Sequence, residues 1–338
     1  MKKTIAVLFG GKSSEYGVSL QSACSVLQAL NKEKYDILPI GITKNGVWYH
    51  YTGDLSDLLS DTWHTHDITP VLLNPDPAKH CMIINSMEVR IDALLPILHG
   101  INGEDGTVQG MAAICGIPLI GCGILSSALC MDKQRAHQLV SSIGIPCAKS
   151  ITIRHIEEAH QALTDLHFPV YVKPVRAGSS IGIHRITTAE EILPALTDAF
   201  TYDSEVIIEE EIRGVETGCA IIGTDTLFTG RVDEIELSHG FFDFEEKYTL
   251  KTSTIHMPAR ISEQEEKKIQ ETAKKIYTVL GCSGFARVDM FYTEDKKIYF
   301  NEVNTIPGFT SHSRYPNMMK GNGLSFEEML DKIIGLYI

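Results

Sequence analysis

Apolar runs and helical repeats alternate over the first third of the chain. Mostly apolar runs cover 5–9, 35–42 and 93–98, and between the first two the apolar residues of 19–31 recur at helical spacing. The first run ends at Gly10. Strands that alternate with helices predict a parallel sheet whose ligand loops lie at the carboxyl ends of its strands. The chain is therefore predicted to open with an α/β domain.

The pattern of elements changes twice further along the chain. After about residue 122, a helix, a strand that runs into a Gly/Ser-rich turn, a second helix and a strand at 205–212 predict a small α+β unit. Antiparallel strands, an amphipathic helix at 262–281 and two strands that face each other across a turn follow. Since 338 residues suffice for two or three domains, we predict domains at 1–121, 122–211 and 212–338.

The last two predicted strands carry a candidate metal site. Asp289 lies between apolar residues on the first strand, and Glu302 and Asn304 alternate with an apolar residue on the second. Residues i and i+2 of a strand share a face, so antiparallel pairing would set three oxygen ligands around one point. That arrangement is typical of a Mg²⁺ site completed by phosphate oxygens, and the alternative is a solvated face. Arg287, on the face of Asp289, suits a developing anion.

Three lysines are candidates for phosphate binding. Lys173 lies directly before a Gly/Ser-rich turn whose backbone amides could cover phosphates, although the Walker A spacing is absent. Lys133 opens a helix, and Lys247 lies in an irregular aromatic stretch. For each lysine alone, the alternative is a surface charge.

A strand with an acidic end follows Lys173 along the chain. Glu209, Glu210 and Glu211 are consecutive, and Glu216 comes shortly after them. Two interpretations stay open: an edge strand that runs into solvent, or a hinge that binds adenine and ribose.

The charge and cysteine content limit the binding partners and the cellular compartment that we expect. The chain has 30 Lys+Arg against 43 Asp+Glu, a formal charge of −13, which disfavours a surface for nucleic acid or anionic membrane. A local basic pocket for ATP remains compatible with that average. The eight cysteines are scattered without a C-x-x-C pair, which favours buried free thiols in a reducing cytoplasm. The initial apolar run is too short for a signal peptide, and no stretch approaches the ~20 residues of a membrane span. We expect a cytoplasmic protein.

Four ordered motifs resemble the ATP-grasp fold: K-P-x-x-x-G-S-S-x-G from Lys173, the acidic hinge, R-x-D from Arg287, and N-E-x-N-T-x-P-G from Asn301. GGKSSEYGVSL, LHGINGEDGTVQG, the omega-loop-like EEKYTLK and NTIPGFTSHS are similar to motifs of the D-alanine:D-alanine ligase family over essentially the whole chain. The resemblance implies an α/β fold, α+β in the later domains: an ATP-grasp fold behind an N-terminal parallel-sheet, Rossmann-like pre-ATP-grasp domain.

The resemblance also implies a role for each matching residue. The expected catalytic groups are a polar triad of Glu15, Ser179 and Tyr248, with Arg287 and the Gly308 amide at the tetrahedral centre. Glu15 would bind the ammonium of the first D-alanine and His99 would lie near its carboxylate, while Ser313 and Arg314 would contact the substrates. The expected nucleotide ligands are Lys133, Lys173, Ser180 and Lys247 for phosphates, Glu209 with the backbone of Glu210 to Ile212 for adenine, and Glu216 for ribose. Asp289, Glu302 and Asn304 would bind two Mg²⁺ ions, with Mn²⁺ as the alternative metal.

Departures from the family pattern point to the second substrate. Alanine-dipeptide ligases generally have an aliphatic residue after T-S-H-S, where this chain has Arg314. The omega loop keeps Lys247 and Tyr248, unlike D-lactate-using ligases, and has Phe242 and Phe244 at its other aromatic positions. This combination resembles the D-alanine:D-serine ligases of vancomycin resistance, of the VanG type.

The guanidinium of Arg314 would offer donors to a serine hydroxyl, and leaving them unpaired opposite D-alanine would cost about 1–3 kcal/mol. The alternative is a surface arginine beside Tyr315. Gly17, where the family usually has an acidic residue, puts the rigidity of the Glu15 loop in doubt.

Taken with the residues, the resemblance predicts an ATP-dependent ligase that joins D-alanine to D-serine through D-alanyl phosphate. The alternatives are a D-alanine:D-alanine ligase and, from another class, a non-catalytic ATP-binding regulatory module. Expected partners are D-alanine and D-serine, with no nucleic acid and no membrane, and the family suggests a homodimer.

Overall fold

The computed structural model describes residues 2–178, 180–237 and 253–338. Its first sheet has the strand order β6-β5-β4-β3-β2-β1-β7, in which β1 pairs parallel with both β2 and β7. The seven strands are β1 (Lys3–Gly10), β2 (Tyr35–Ile42), β3 (Trp48–Tyr51), β4 (Ile68–Leu73), β5 (Cys81–Ile84), β6 (Met87–Arg90) and β7 (Ala93–Ile97). The predicted parallel strands are confirmed. Four antiparallel strands were not predicted, because most of them span only four residues, too few to show a period.

The continuous apolar run of β1 follows from burial on both faces of the sheet. Ile5, Val7 and Phe9 point into a core shared with the first helix, and Ala6 and Leu8 point into a second core on the opposite face. All five side chains are fully buried. A strand covered on both sides has no polar alternation, which is why the run reads as continuous.

The second sheet is antiparallel and has the order β10-β9-β11-β8. Its strands are β8 (Ser150–Ile153), β9 (Val170–Pro174), β10 (His184–Ile186) and β11 (Val206–Glu210). The acidic strand β11 lies between two neighbours, so the interpretation of 205–212 as an edge strand is wrong. A core of its own packs against this sheet.

The third sheet is also antiparallel, with the order β14-β13-β12-β15-β16. Its strands are β12 (Gly214–Ile222), β13 (Phe228–Leu237), β14 (Ser253–His256), β15 (Phe285–Thr293) and β16 (Ile298–Asn304). The predicted pairing of the last two strands is confirmed, since Asp289 lies opposite Glu302. A parallel-containing sheet followed by two antiparallel sheets confirms the predicted α/β class with α+β later units. The domain boundaries at 121 and 211 stay predictions.

Helices cover the sheets. They are α1 (Tyr16–Ala29), α2 (Ser56–Leu59), α3 (Thr107–Ile114), α4 (Ile124–Met131), α5 (Lys133–Ser142), α6 (Ala159–Thr164), α7 (Ile192–Ala199), α8 (Glu263–Val279), α9 (Arg314–Gly321) and α10 (Phe326–Ile334). The described residues also form 3₁₀ turns at Trp63–Thr65, Ile156–Glu158 and Ala189–Glu191. Within these residues, no helix is long and apolar enough to cross a membrane.

All eight cysteines are free, and all but Cys147 are buried, as predicted from their scattered positions.

Candidate functional site

A cavity of about 450 Å³ lies between the second and third sheets. Strands β9 and β11 form one wall, β12, β15 and β16 contribute to the other, and α5 closes one side. Every described residue predicted to bind the nucleotide lines it: Lys133, Lys173, Ser180, Glu209, Glu210, Ile212 and Glu216. The structure therefore brings together groups that are up to 83 residues apart in the chain, from 133 to 216.

Lys173 and Glu209 form a buried ion pair on one wall of the cavity. The Lys173 ammonium contacts Glu209 Oε1, and both residues are buried. Burial alone would raise the pKa of Glu209, but the Lys173 ammonium holds it below its ordinary value. Glu209 Oε2 is buried and has no hydrogen-bonding partner among the described residues. A buried acceptor in that state fits a ligand with an N–H donor, such as the amino group of adenine.

Lys133 lies between the Gly/Ser-rich turn and the candidate metal ligands. Asp132 caps α5 by accepting the Arg135 N–H at 3.0 Å, so Lys133 is the first residue of the helix. Its Nζ donates to the Ala177 carbonyl at 2.7 Å and lies 4.0 Å from Glu302 Oε2. The ammonium therefore lies between the turn and the candidate metal ligands, where it could bind phosphate oxygens.

His137 is a residue of the cavity that the sequence reasoning missed. Its Nε2 lies 3.0 Å from the Asn301 carbonyl, which can only accept, so Nε2 carries the proton. Burial lowers the pKa of His137, which keeps the ring neutral and Nδ1 an acceptor. That Nδ1 is buried without a partner among the described residues. His137 follows Lys133 by four residues, which places the two on one helix face, and this spacing is the sequence signal that indicates His137.

Two of the candidate metal ligands, Asp289 on β15 and Glu302 on β16, lie opposite each other in the sheet, and Asn304 follows on β16. Asp289 accepts Arg287 Nε at 2.8 Å and Nη2 at 2.7 Å, and Asn304 Nδ2 at 2.9 Å. Glu302 lines the cavity beside them. In the described part of the chain, no group of three or more His, Cys, Asp and Glu side chains is arranged to hold a metal. Two carboxylates and one amide fit a Mg²⁺ ion that takes its other oxygens from phosphates.

Arg314 is buried at the start of α9. Its Nε lies 2.7 Å from Asp233 Oδ2 and its Nη2 2.8 Å from Oδ1, while Nη1 lies 3.1 Å from Glu216 Oε1. Asp289 Oδ1 is 3.5 Å from Nη2. These carboxylates raise the pKa of Arg314 although burial opposes them. The interpretation as a surface arginine is therefore wrong.

Asp233, on β13, is the partner that sequence reasoning missed. It is fully buried, and its Oδ1 also accepts the Gly218 N–H at 2.9 Å. A Cβ on Gly218 would lie 2.5 Å from Arg314 Nη2, so this approach of the guanidinium to the strand requires glycine. An aspartate between Val232 and Glu234 on a strand gives no sign of its partner, since Arg314 is 81 residues away.

Glu15 lies between two glycines of different units. A Cβ on Gly100 would collide with Glu15 Oε2, and a Cβ on Gly178 would lie 2.7 Å from it. The Glu15 carbonyl accepts the N–H groups of Val18 and Ser19, in the first turn of α1. Gly17 lies inside this hydrogen-bonded turn, with open space where a Cβ would be.

His99 has both ring nitrogens engaged by protein groups. Nδ1 lies 2.8 Å from the Ile306 carbonyl and Nε2 lies 3.1 Å from Ser22 Oγ. Burial lowers the pKa of His99. Glu104, which the sequence reasoning missed, accepts the Ile306 N–H at 2.8 Å, and burial together with the Glu15 carboxylate raises its pKa to about 8.

Ser313 and Gly308 lie next to each other beyond β16. Ser313 Oγ lies 3.0 Å from the Thr310 nitrogen and 2.8 Å from its Oγ1, and a Cβ on Gly308 would lie 2.8 Å from the same oxygen. Ser179, Lys247 and Tyr248, and the aromatic positions Phe242 and Phe244, lie outside the described residues, so the polar triad stays a prediction.

Family models match nearly the whole chain. The model of the D-ala D-ala ligase N-terminus matches residues 4–122, and that of the C-terminus matches residues 139–335.

Individual proteins with known names agree. The vancomycin C-type resistance protein VanC2 of Enterococcus casseliflavus is 44% identical, over 99% of this chain and 98% of its own length. The D-alanine–D-alanine ligase of Caldicellulosiruptor bescii is 42% identical, over 100% of this chain and 95% of its own. The crystal structure of VanG D-Ala:D-Ser ligase from Enterococcus faecalis is 55% identical, covers all of both chains and superposes with a TM-score of 0.94.

Proposed function

The chain belongs to the D-alanine–D-alanine ligase family, and on that premise we propose that it joins D-alanine to D-serine. Membership makes it a dipeptide ligase with the ATP-grasp fold, in a family that depends on ATP and a divalent metal. The predictions of family, fold and enzyme class are thereby confirmed. The identity of the second substrate, the roles of individual residues and the number of metal ions are proposals.

In the first step, the carboxylate of D-alanine attacks the γ-phosphate of ATP to give D-alanyl phosphate and ADP. Glu15, buried between the turns at Gly100 and Gly178, holds the ammonium of this D-alanine. Lys133 and Lys173, with Lys247 outside the described residues, hold the phosphates, and Ser180 lines the same cavity. Phosphoryl transfer needs alignment and charge neutralisation rather than a protein nucleophile.

The nucleotide lies in the cavity of about 450 Å³. Glu209 Oε2 accepts the adenine amino group, the backbone of Glu210 to Ile212 borders the base, and Glu216 binds the ribose hydroxyls. Support comes from the buried, unpartnered oxygen of Glu209 and from the arrangement of all these residues along one cavity.

Asp289, Glu302 and Asn304 hold two Mg²⁺ ions, or Mn²⁺ in their place. When bound, the metal neutralises charge on the transferring phosphate. Asp289→Asn should abolish turnover, whereas Asp295→Asn, in the exposed turn between the same two strands, is the matched control and should retain it.

In the second step, the amine of the second amino acid attacks the acyl phosphate and phosphate leaves. Arg287, held by Asp289, and the Gly308 amide face the developing negative charge. Ser313, which packs against Gly308, contacts the second substrate, and Ser179 and Tyr248 complete the triad with Glu15.

The observation that carries D-serine as second substrate is the buried pair of Arg314 and Asp233 beside Asp289. An aliphatic residue at this place would offer apolar contact only. The pair instead offers charged donors and acceptors next to the reaction centre, and a serine hydroxyl can both donate and accept. D-alanine has no hydroxyl to bond to these groups, and a hydrogen bond to a charged group is worth about 1.5–3 kcal/mol.

The test is to incubate the purified protein with ATP, Mg²⁺, D-alanine and D-serine, and to separate the dipeptides by mass. D-alanyl-D-serine as the major product supports the proposal, and L-serine should give no dipeptide. Predominant D-alanyl-D-alanine would favour the alternative, for which the 42% identity to the Caldicellulosiruptor bescii ligase speaks. Absence of any ATP turnover with D-amino acids would favour the non-catalytic module, although the phosphate lysines and metal ligands are all present.

We also propose the cellular setting that the relatives suggest. A ligase with D-serine as acceptor would supply modified peptidoglycan precursors and confer vancomycin resistance, as the name of VanC2 says for that relative. Cytoplasmic location and a homodimer remain predictions. Light scattering on the purified protein would test the dimer.

A further inference from the structure

The segment from Ile306 to Phe309 leaves the third sheet and contacts the first α/β unit. Three backbone groups of this segment form hydrogen bonds with the first unit: the Ile306 carbonyl, the Ile306 N–H and the Phe309 N–H. Between these two residues lie Pro307 and Gly308, and Gly308 carries the amide assigned above to the tetrahedral centre. The position of that amide is therefore set by residues of another unit.

The hydrogen bonds run in one direction around the segment. The Phe309 N–H donates to Ser22 Oγ at 3.3 Å, and Ser22 Oγ lies 3.1 Å from His99 Nε2. His99 Nδ1 lies 2.8 Å from the Ile306 carbonyl, and the Ile306 N–H donates to Glu104 Oε1 at 2.8 Å. Three bonds thus lead from Phe309 back to Ile306, and a fourth continues from Ile306 to Glu104.

One tautomer of His99 satisfies the whole ring. The Ile306 carbonyl only accepts, so Nδ1 must carry the proton. In the neutral ring, Nε2 is then an acceptor, and the Ser22 hydroxyl must donate to it. The Ser22 oxygen keeps lone pairs for the Phe309 N–H. Because Ser22 and His99 are buried, the loss of one bond would leave polar groups without water to replace it.

Glu104 links this ring to the opposite side of the reaction centre. Its Oε2 accepts the Gly100 N–H at 2.9 Å, and the Cα of Gly100 packs against the Glu15 carboxylate. The Glu104 side chain therefore holds two backbone segments. One is that of Gly100, which packs against Glu15, and the other is that of Ile306, two residues before Gly308. Separation of the two loops would cost both bonds.

We propose that Glu104, His99 and Ser22 are positioning residues that fix the Gly308 amide relative to Glu15 across the two units. None of the three needs to touch the substrate for this role. The inference rests on the proposed function in that the amide of Gly308 serves the second step. It also adds a role to the one expected of His99 near the carboxylate of D-alanine, since both ring nitrogens take part in holding the segment.

The test compares Ser22→Ala with Ser25→Ala. Both remove a serine hydroxyl from α1, but the Ser25 hydroxyl bonds only the Gln21 carbonyl within the helix. We expect kcat for dipeptide formation to fall at least tenfold in Ser22→Ala, with the KM for ATP within twofold of the wild type. Ser25→Ala should retain the wild-type kcat. Glu104→Gln, which replaces one acceptor oxygen by a donor, should show the same split between kcat and KM.

Hydrogen exchange supplies a readout that does not depend on activity. The Phe309 and Ile306 amides should exchange at least tenfold faster in Ser22→Ala than in Ser25→Ala. Wild-type kcat in both Ser22→Ala and Glu104→Gln would overturn the proposal, and so would unchanged exchange of the two amides. If the wild-type protein forms no dipeptide, the proposed function fails, while the exchange rates still decide whether the ring holds the segment. If Ser22→Ala does not fold, Glu104→Gln carries both measurements.

Discussion

The Arg314 guanidinium and the Asp233 carboxylate form a two-pronged pair, with Nε 2.7 Å from Oδ2 and Nη2 2.8 Å from Oδ1. Both groups are buried, and the pair lies beside Asp289, a candidate metal ligand. The charge at position 314 is therefore compensated by a specific carboxylate. A change of substrate preference at this position has to treat the two residues together.

Replacement of the pair should change the product. In the double variant Arg314→Leu with Asp233→Asn, an apolar side chain replaces the guanidinium and Asp233 loses its charge with it, while Asn keeps an oxygen for the Gly218 N–H. We expect the ratio of D-alanyl-D-serine to D-alanyl-D-alanine to fall roughly tenfold or more, since the lost polar contacts are worth about 1–3 kcal/mol. Mass spectrometry of the products with both amino acids present measures the ratio.

The control for this change is Arg231→Leu. Arg231 lies on β13, the strand of Asp233. It pairs with Glu266 at 2.8 and 3.0 Å, but it does not line the nucleotide cavity. Its loss should leave the product ratio unaltered. An unaltered ratio in the double variant as well would show that the pair does not select the substrate.

The single variant Arg314→Leu should be much less stable than the double variant. It leaves Asp233 fully buried without its partner, and breaking a buried ion pair in this way costs about 3–5 kcal/mol. Neutralising the carboxylate by Asp233→Asn should recover most of this loss. Urea unfolding of the wild type and of both variants gives the free energies. Equal stability of the single variant and the wild type would mean that the pair is not formed.

The nucleotide base should be selected through Glu209. In Glu209→Gln an amide N–H₂ would stand where Oε2 is, and it would oppose the adenine amino group. We expect the affinity for ATP to fall about tenfold and the preference for ATP over GTP to shrink, because guanine has an acceptor at that position. Calorimetric titration with both nucleotides measures this.

Glu210→Gln is the matched control for the nucleotide prediction. The Glu210 carboxylate bonds the backbone N–H and the ring of His167, and only the backbone of Glu210 is assigned to the nucleotide. Its neutralisation should therefore leave the affinity for ATP intact. Identical affinities in the two variants would contradict the assignment of Glu209.

The sequence was informative where a pattern is local. The apolar run of β1, the alternation of Glu302 and Asn304, and the amphipathic repeat of 262–281 each depend on neighbours in the chain, and the structure bears them out.

Groups that meet only through the fold could not be predicted in this way. Asp233 and Arg314 are 81 residues apart, and Glu104 is 202 residues from Ile306. Nothing near either acidic residue distinguishes it from a surface carboxylate. The partner decides its role, and a single sequence does not reveal the partner.

Glu265 gives a prediction for acid stability. Its carboxylate accepts the Ser262 N–H at 2.9 Å and the Ser262 hydroxyl at 2.7 Å at the start of α8. These bonds, with Lys296 and Tyr292, lower the pKa of Glu265 from 4.5 to about 2. A lowered pKa in the folded state stabilises the fold above pH 4.5, and the contribution is lost as the pH falls towards 2.

Glu265→Gln should therefore unfold at a lower temperature than the wild type at neutral pH, and the difference should narrow between pH 4.5 and 2. Glu263→Gln removes a carboxylate from the same first turn but keeps the Ser262–Glu265 bonds, so it should follow the wild-type curve. A difference between Glu265→Gln and the wild type that does not vary with pH would contradict the assignment.

The most direct test of the central claim is a competition between second substrates. The purified protein receives ATP, Mg²⁺ and equal concentrations of D-alanine and D-serine, and the two dipeptides are quantified over the neutral pH range. The buried Arg314–Asp233 pair predicts that D-alanyl-D-serine is the major product. Predominance of D-alanyl-D-alanine throughout that range would contradict D-serine as the substrate.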